Sequence, residues 1–381
     1  MSITMKCSLL LLVIVCTLLS HTTGKPNPKC TYKPDGDNQL SIDVTCKNLD
    51  LPRGVQLREV LGEVDIAHLT VTHSNIQLLS ADLFTKLATT LETLTVRHCA
   101  DLTTIENNTF VEFGALKSLD LSKNNISITL DGEEFRSLKN SPLESIDLSG
   151  NAISLLPSQM FRGLNALENI DLSNSKISQI QDTVFDHLIN LKSLDLSHNQ
   201  IAQVGTNVNG FPFSWNQRLQ LLDLSYNKMA AVQVGISIQQ SLTTLNLSHN
   251  EISSFNRKPF TVPPMLQALQ FMDNLKDLDL SHNNLTDLPL DIFYQPVNTL
   301  FVKDFGISST SKVAVNLAGN PLHCDCGFYT FWEFLQSAEC RLKFSFKNGV
   351  CDQPMGVKGV KAAAVDMTHC APKTGQSVKV N

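Results

Sequence analysis

The sequence predicts an α/β solenoid, a run of short coils stacked on one another, and three observations carry that prediction. One phrase recurs along the 381 residues. A phenylalanine follows most copies of it at a fixed offset. Cysteines gather at the two ends of the array and are nearly missing from its middle.

The phrase is clearest as Leu116-x-x-Leu119-x-Leu121-x-x-Asn124-x-Ile126. It returns from Leu143 to Ile153, Leu191 to Ile201, Leu219 to Met229, Leu242 to Ile252 and Leu275 to Leu285. Leu167 to Ile177 matches with Ser175 in the Asn place, and weaker copies begin at Ile66, with Ser74, and at Leu91, with Cys99. Successive starts lie 23 to 33 residues apart, and Phe84, Phe110, Phe135, Phe161, Phe185 and Phe293 each fall 18 or 19 residues after one. In period and phrase this resembles the extracellular leucine-rich repeat, over roughly residues 30 to 370. The resemblance implies a horseshoe with a parallel concave sheet, an irregular convex side and cysteine-rich caps.

Elementary geometry gives the same picture. The alternation Leu119-x-Leu121 sends both leucines to one side of a short strand, and strands of successive copies stack about 4.8 Å apart. Asn124 and its equivalents carry donors and an acceptor on a short stem, so they can satisfy turn backbone in their own and the adjacent coil. One coil cannot cover its own apolar faces, so stacking supplies the stability and the ends need covers.

The chain divides on this reading into a signal peptide (1–24), an N-terminal cap (25–65), about 9–10 repeats (66–311), a C-terminal cap (312–371) and a tail (372–381). Lys6, the short apolar run Leu9 to Leu19 and the small or polar exit Thr22 to Gly24 read as a cleaved secretory signal. A membrane span needs about 20 apolar residues, and no later run supplies them. The tail after Cys370 lacks the hydrophobic end of a lipid-anchor signal. A secreted chain in an oxidising compartment is the expectation, and disulfides persist there.

Eight cysteines lie beyond residue 24. Cys30 and Cys46 flank the alternating stretch Leu40-Ser-Ile42-Asp-Val44, which predicts a capping strand and a Cys30–Cys46 bridge. At the other end, Asn320-Pro-Leu-His-Cys324-Asp-Cys326 leads to Trp332, Cys351-Asp-Gln-Pro354 and Cys370. That set resembles the C-terminal flanking cap of Toll-like receptors and related secreted repeat proteins. The resemblance implies the pairs Cys324–Cys351 and Cys326–Cys370; a metal site from His323, Cys324 and Cys326 is the competing reading. Cys99, at the Asn place of its repeat, reads as a buried thiol. Cys340 departs from the four-cysteine pattern and is either a buried thiol or a link between two chains, which leaves a dimer through Cys340 or the cap open.

Lys and Arg number 30 against 36 Asp and Glu, a net charge of −6, so a nucleic-acid partner is not expected. No G-x-S-x-G elbow, H-E-x-x-H, phosphate loop or G-x-G-x-x-G occurs, and neither catalysis nor a cofactor is expected. The candidate surface is the concave face. Position five of the repeats gives Asp120, Asp147, Asp171, Asp195, Asp223, Asn246 and Asp279; position eight includes His73, His98, His198, Tyr226, His249 and His282. Leu221 and Tyr226 are apolar exceptions there and anchor candidates. Sequons at Asn107, Asn125, Asn246 and Asn284 are candidate glycosylation sites, and a sugar at Asn246 would stand on the binding face. Excursions at Gly205 to Trp215 and Asn256 to Pro264 are further candidate binding loops. Between Leu275 and Asn320 the spacing breaks: Val297, Leu300 and Val302 resemble a repeat start, yet Phe305 holds the Asn place.

The expected function is non-enzymatic recognition of a protein or other extracellular ligand. Resemblance to Toll-like ectodomains and arthropod-type secreted immune factors implies innate immunity or receptor–ligand regulation, as a soluble co-receptor or decoy. The alternative is a structural protein of matrix or cell adhesion. Small matrix proteoglycans have similar repeats but a four-cysteine N-terminal cluster, where this chain has only Cys30 and Cys46.

Overall fold

The computed structural model describes residues 27–34, 42–62, 65–204, 213, 215–232, 241–255, 274–288, 312–337 and 344–370. The signal segment, the tail, Cys340, Phe293, most of both excursions and the Val297 region lie outside them. The chain forms two compact units, one of residues 1–195 with 205–216, the other of 196–204 with 217–381.

In the first unit the cap strands Cys30–Pro34 and Ile42–Lys47 pair antiparallel, with Cys30 opposite Cys46. Ile42–Lys47 then pairs parallel with Ile66–Thr72. Thr93–Arg97, Ser118–Asp120, Ser145–Asp147, Asn169–Asp171 and Ser193–Asp195 follow, each parallel to the last. Most of these strands are three residues long because the phrase demands extended backbone only at positions three to five. Register puts Leu69, Leu94, Leu119, Ile146, Ile170 and Leu194 in one file, none more than 2% exposed. A one-residue slip in any rung would turn its apolar side chains to solvent, so the alternation fixes the register.

The returning side carries the phenylalanines. Phe84 and Phe110 meet Phe113 edge-on at 5.3 and 5.4 Å, Phe110 stacks on Phe135, and Phe185 stacks on Phe161 and Phe213. Its regular structure is 3-10 turns such as Ala81–Phe84 and Arg136–Asn140 and two-residue bridges such as Leu78–Leu79 with Thr104–Ile105. Coils of about 24 residues leave too little chain for a full α-helix on the return. Gly132 (φ 66°) marks a close approach, where an added Cβ would lie 2.6 Å from Pro157 Cγ.

In the second unit Leu221–Asp223, Thr244–Asn246, Asp277–Asp279, Val313–Asn316 and Phe344–Lys347 form the parallel sheet. Leu278 sits directly opposite Val315. The cap helix Tyr329–Gln336 turns Phe331 and Phe334 inward, against Phe346 at 5.5 Å and Phe344 at 5.9 Å. Disulfides join Cys30–Cys46, Cys324–Cys351 and Cys326–Cys370. Cys99 is a buried free thiol whose pKa burial pushes up.

The asparagine of each phrase closes the backbone of two coils. Asn250 Nδ2 donates to the carbonyls of Leu224 (2.9 Å) and Leu247 (3.1 Å), and its Oδ1 accepts from the Met229 amide at 3.0 Å. Asn151, Asn227, Asn283 and Asn320 repeat the pattern with their own neighbours. Ser74 makes only two such bonds: its hydroxyl accepts from the Leu49 amide and donates to the Thr72 carbonyl, each at 3.0 Å.

Candidate functional site

Position five is built for the turn as well as for display. Asp120, Asp147, Asp171, Asp223 and Asp279 each accept the amide two residues on, at 2.8–2.9 Å. Asp195 occupies the equivalent place on its strand. Stacking brings like charges together. Burial pushes the Asp147 carboxyl up, and the charges of Asp171 and Asp120 add to that, while Ser149 pulls it down. Where Asn replaces Asp the repulsion becomes a bond: Asn246 Nδ2 donates to Asp223 Oδ2 at 2.9 Å, and Asn316 Nδ2 to both Asp279 oxygens at 3.1–3.2 Å.

Position eight is forced into the left-handed region. His198, Tyr226, His249 and His282 have φ of 52–55°, as have His73 and His98 within a few degrees. Their amides remain in the sheet: His198 donates to the Ser225 carbonyl, Tyr226 to Ser248 and His249 to Ser281, each at 2.9 Å. With the backbone consumed, only the side chains project, one per rung. In the second unit they stack into a column. Ring centroids of His198–Tyr226, Tyr226–His249 and His249–His282 lie 4.1, 4.0 and 4.2 Å apart, with planes within 11°. The column stops at Gly319 (φ 69°), where a Cβ would lie 2.5 Å from His282 Nδ1. The first unit has a shorter pair, His73 on His98 at 4.9 Å.

Because ring faces are covered by neighbouring rings, the column presents polar edges to solvent. His249's pKa is lowered, first by burial, then by the charge of His282 and less by His198, against Asp279. His98's is lowered by desolvation first, then by His73, Lys123 and Arg97. Leu221 (38% exposed) and Tyr226 (44%) add apolar area on one repeat. A hollow of about 230 Å³ beside the last strands is lined by Asp277, Asp279, Ala314, Asn316 and Lys347. In the first unit a hollow of about 410 Å³ is bridged by Arg53 and Glu106 at 3.4 Å.

Asn107, Asn125 and Asn284 are exposed, whereas Asn246 is half-buried and also accepts from the Ser248 amide and hydroxyl. Among the described residues, one group of three candidate metal ligands lies within 4.8 Å: Cys326, His369 and Cys370. Two of these are joined in a disulfide, so their sulfurs are not free thiolates. Sequence reasoning singled out position eight but missed the ring stacking and the left-handed backbone beneath it. The signal was there: His, Asn, Lys, Gly and Tyr share that position, and β-branched residues are missing from it.

The Leucine rich repeat family pattern matches residues 89–153 and 141–201, and further Leucine Rich Repeat patterns match 190–213, 274–295 and 239–254. Leucine-rich repeat and fibronectin type III domain-containing protein 1 of Danio rerio is 34% identical over 106 residues, 28% of this chain and 16% of that protein. Toll-like receptor 10 of Bos taurus is 26% identical over 170 residues, 42% of this chain and 20% of that protein. The chain thus spans a fifth or less of these relatives. Among solved structures, an octameric complex of Latrophilin 3, Unc5D and FLRT2 contains a chain with TM-score 0.60 at 19% identity, covering 80% of this chain and 82% of that one. The mouse RP105/MD-1 complex gives 0.54 at 19%, with 84% and 54% covered, and the APL1 leucine-rich repeat domain gives 0.52 at 22%, with 73% and 64%. Each of these structures is similar in fold. Repeat, ladder and terminal disulfides together give this chain a leucine-rich repeat fold, and it resembles Toll-like receptor ectodomains.

Proposed function

We propose that the chain is a secreted, non-enzymatic recognition module that binds another protein through the sheet face of its second unit. The observation that carries this is the column His198–Tyr226–His249–His282 beside exposed Leu221. The fold needs left-handed backbone at those positions but has no use for aromatic rings there, since Gly150 and Asn174 serve the same turn in the first unit. Solved neighbours are protein complexes in two cases, one of RP105 with MD-1. Resemblance to a Toll-like receptor supports an immune or receptor-regulating role as co-receptor or decoy.

The test is capture from native extracellular fluid with the intact chain and with Leu221→Ser plus Tyr226→Ala. A partner retained by the first and lost by the second supports the reading; equal retention moves the site elsewhere. Intact mass finding a sugar on Asn246 would also oppose it, since that residue lies on the strand paired with Leu221–Asp223. A covalent dimer through Cys340 belongs to the same proposal and predicts a band of twice the mass on non-reducing electrophoresis.

A further inference from the structure

The cap disulfides differ in what surrounds them. Cys324 and Cys351 are 4% and 1% exposed, and Cys46 is fully buried against its half-buried partner Cys30. Cys326, by contrast, is exposed and Cys370 half-buried. His369, also exposed, places its Nε2 3.3 Å from Cys370 Sγ. Asp366 stands beside this histidine. Its carboxyl is held below the usual range, first by the Thr368 hydroxyl at 2.7 Å and then by the Thr368 amide, with His369's charge a smaller cause.

We infer that Cys326–Cys370 is a thiol-exchange site, opened by low-molecular-weight thiols or dithiol proteins, with His369 positioned to stabilise the departing sulfur. A thiolate attacks the accessible Cys326 Sγ along the S–S axis. A new sulfur–sulfur bond forms to Cys326, the Cys326–Cys370 bond breaks, and Cys370 leaves as thiolate. Imidazolium at His369 pairs with that thiolate or passes it a proton from Nε2, and a better-stabilised leaving thiolate departs faster. A second thiolate then displaces Cys326 from the mixed disulfide. Overall the protein disulfide gains two electrons and two protons, and two thiols become one disulfide.

Exchange elsewhere is opposed. Attack on Cys30 would expel Cys46 as a thiolate into apolar surroundings, where burial disfavours the charged form. Opening Cys326–Cys370 has a local consequence. It unties a loop of 44 residues in sequence, while Cys324–Cys351 still holds the cap. The last segment then keeps its buried Ala362, Val365 and Met367, the Ala362 amide's bond to the Gly349 carbonyl at 3.0 Å and the Gln336 bond to the Ala363 carbonyl at 2.7 Å.

The experiment is timed exposure of the intact oxidised chain to reduced glutathione, quenched by alkylation and mapped by peptide mass spectrometry. Cys326 and Cys370 should be labelled about tenfold faster than the other paired cysteines, and trapped glutathione should sit on Cys326. His369→Gln should slow this bond several-fold and leave the other two unchanged, while His369→Lys, which keeps a cation, should restore much of the rate. Equal rates at all three bonds, or earlier opening of another, would overturn the site. Glutathione trapped on Cys370 would overturn the direction of attack, and an unchanged His369→Gln rate would overturn the part given to the imidazole.

Discussion

A single dihedral choice organises the candidate surface. At position eight a left-handed residue is strained for any side chain with a Cβ, by about 1–2 kcal/mol. His, Tyr and Lys accept it here because the amide gains a rung-to-rung bond. Gly319 is the position where no side chain fits. Gly319→Ala should destabilise the second unit by about 1–2 kcal/mol, measured by denaturant unfolding. Gly150→Ala, whose Cβ would meet Lys123 Cγ at 3.3 Å, should lose less. Asp147→Asn keeps the acceptor for Ser149 and removes repulsion from Asp120 and Asp171, so it should stabilise by about 0.5 kcal/mol at neutral pH. That gain should vanish in acid. The native carboxyl titrates above its ordinary range, so acidification relieves the same repulsion in the unmodified protein.

At the scale of one coil, the asparagine ties the backbone of two coils at once. Asn250→Ala leaves the Met229 amide without its acceptor and removes one donor each from the Leu224 and Leu247 carbonyls, which keep Asn227 Nδ2 at 3.0 Å and Asn283 Nδ2 at 2.9 Å. A loss of about 1–3 kcal/mol is expected, with faster hydrogen exchange at Met229 as its local signature. The ring column is the other element with a measurable response. His249 titrates below the ordinary 6.5, so the unfolded chain takes up the proton first. Its contribution to stability is complete above that value and drains away as pH falls through the native one. Melting temperature should therefore drop between about pH 7 and pH 5, and His249→Asn, which tolerates the same backbone, should flatten the drop.

Across the molecule, the caps decide whether stacking can end. Each coil covers its neighbour, and the last coil must be covered by something else. The joint change Cys324→Ser, Cys351→Ser opens a loop of 27 residues in sequence and should lower stability by about 3 kcal/mol. Phe331 and Phe334 would then be held by packing alone, so dye binding to exposed apolar surface should rise. His369→Gln, which touches only the exchange site, should leave the melting temperature unchanged.

Period, core file, asparagine ladder and phenylalanine return were legible in the sequence, because each is a demand a coil makes of residues a few places away. Leu119 and Leu121 face inward by alternation alone, and Asn124 sits where a turn needs donors. The sequence also placed Tyr226 and His198 at one position of the repeat. Only the tertiary structure decided that their rings touch, since that depends on register between strands more than twenty residues apart and on the backbone angle beneath them. It likewise decided that His369 lies against Cys370 and that Cys326 faces solvent while Cys324 does not. Two cysteines two positions apart are equivalent in a list of letters, and burial is a property of everything folded over them.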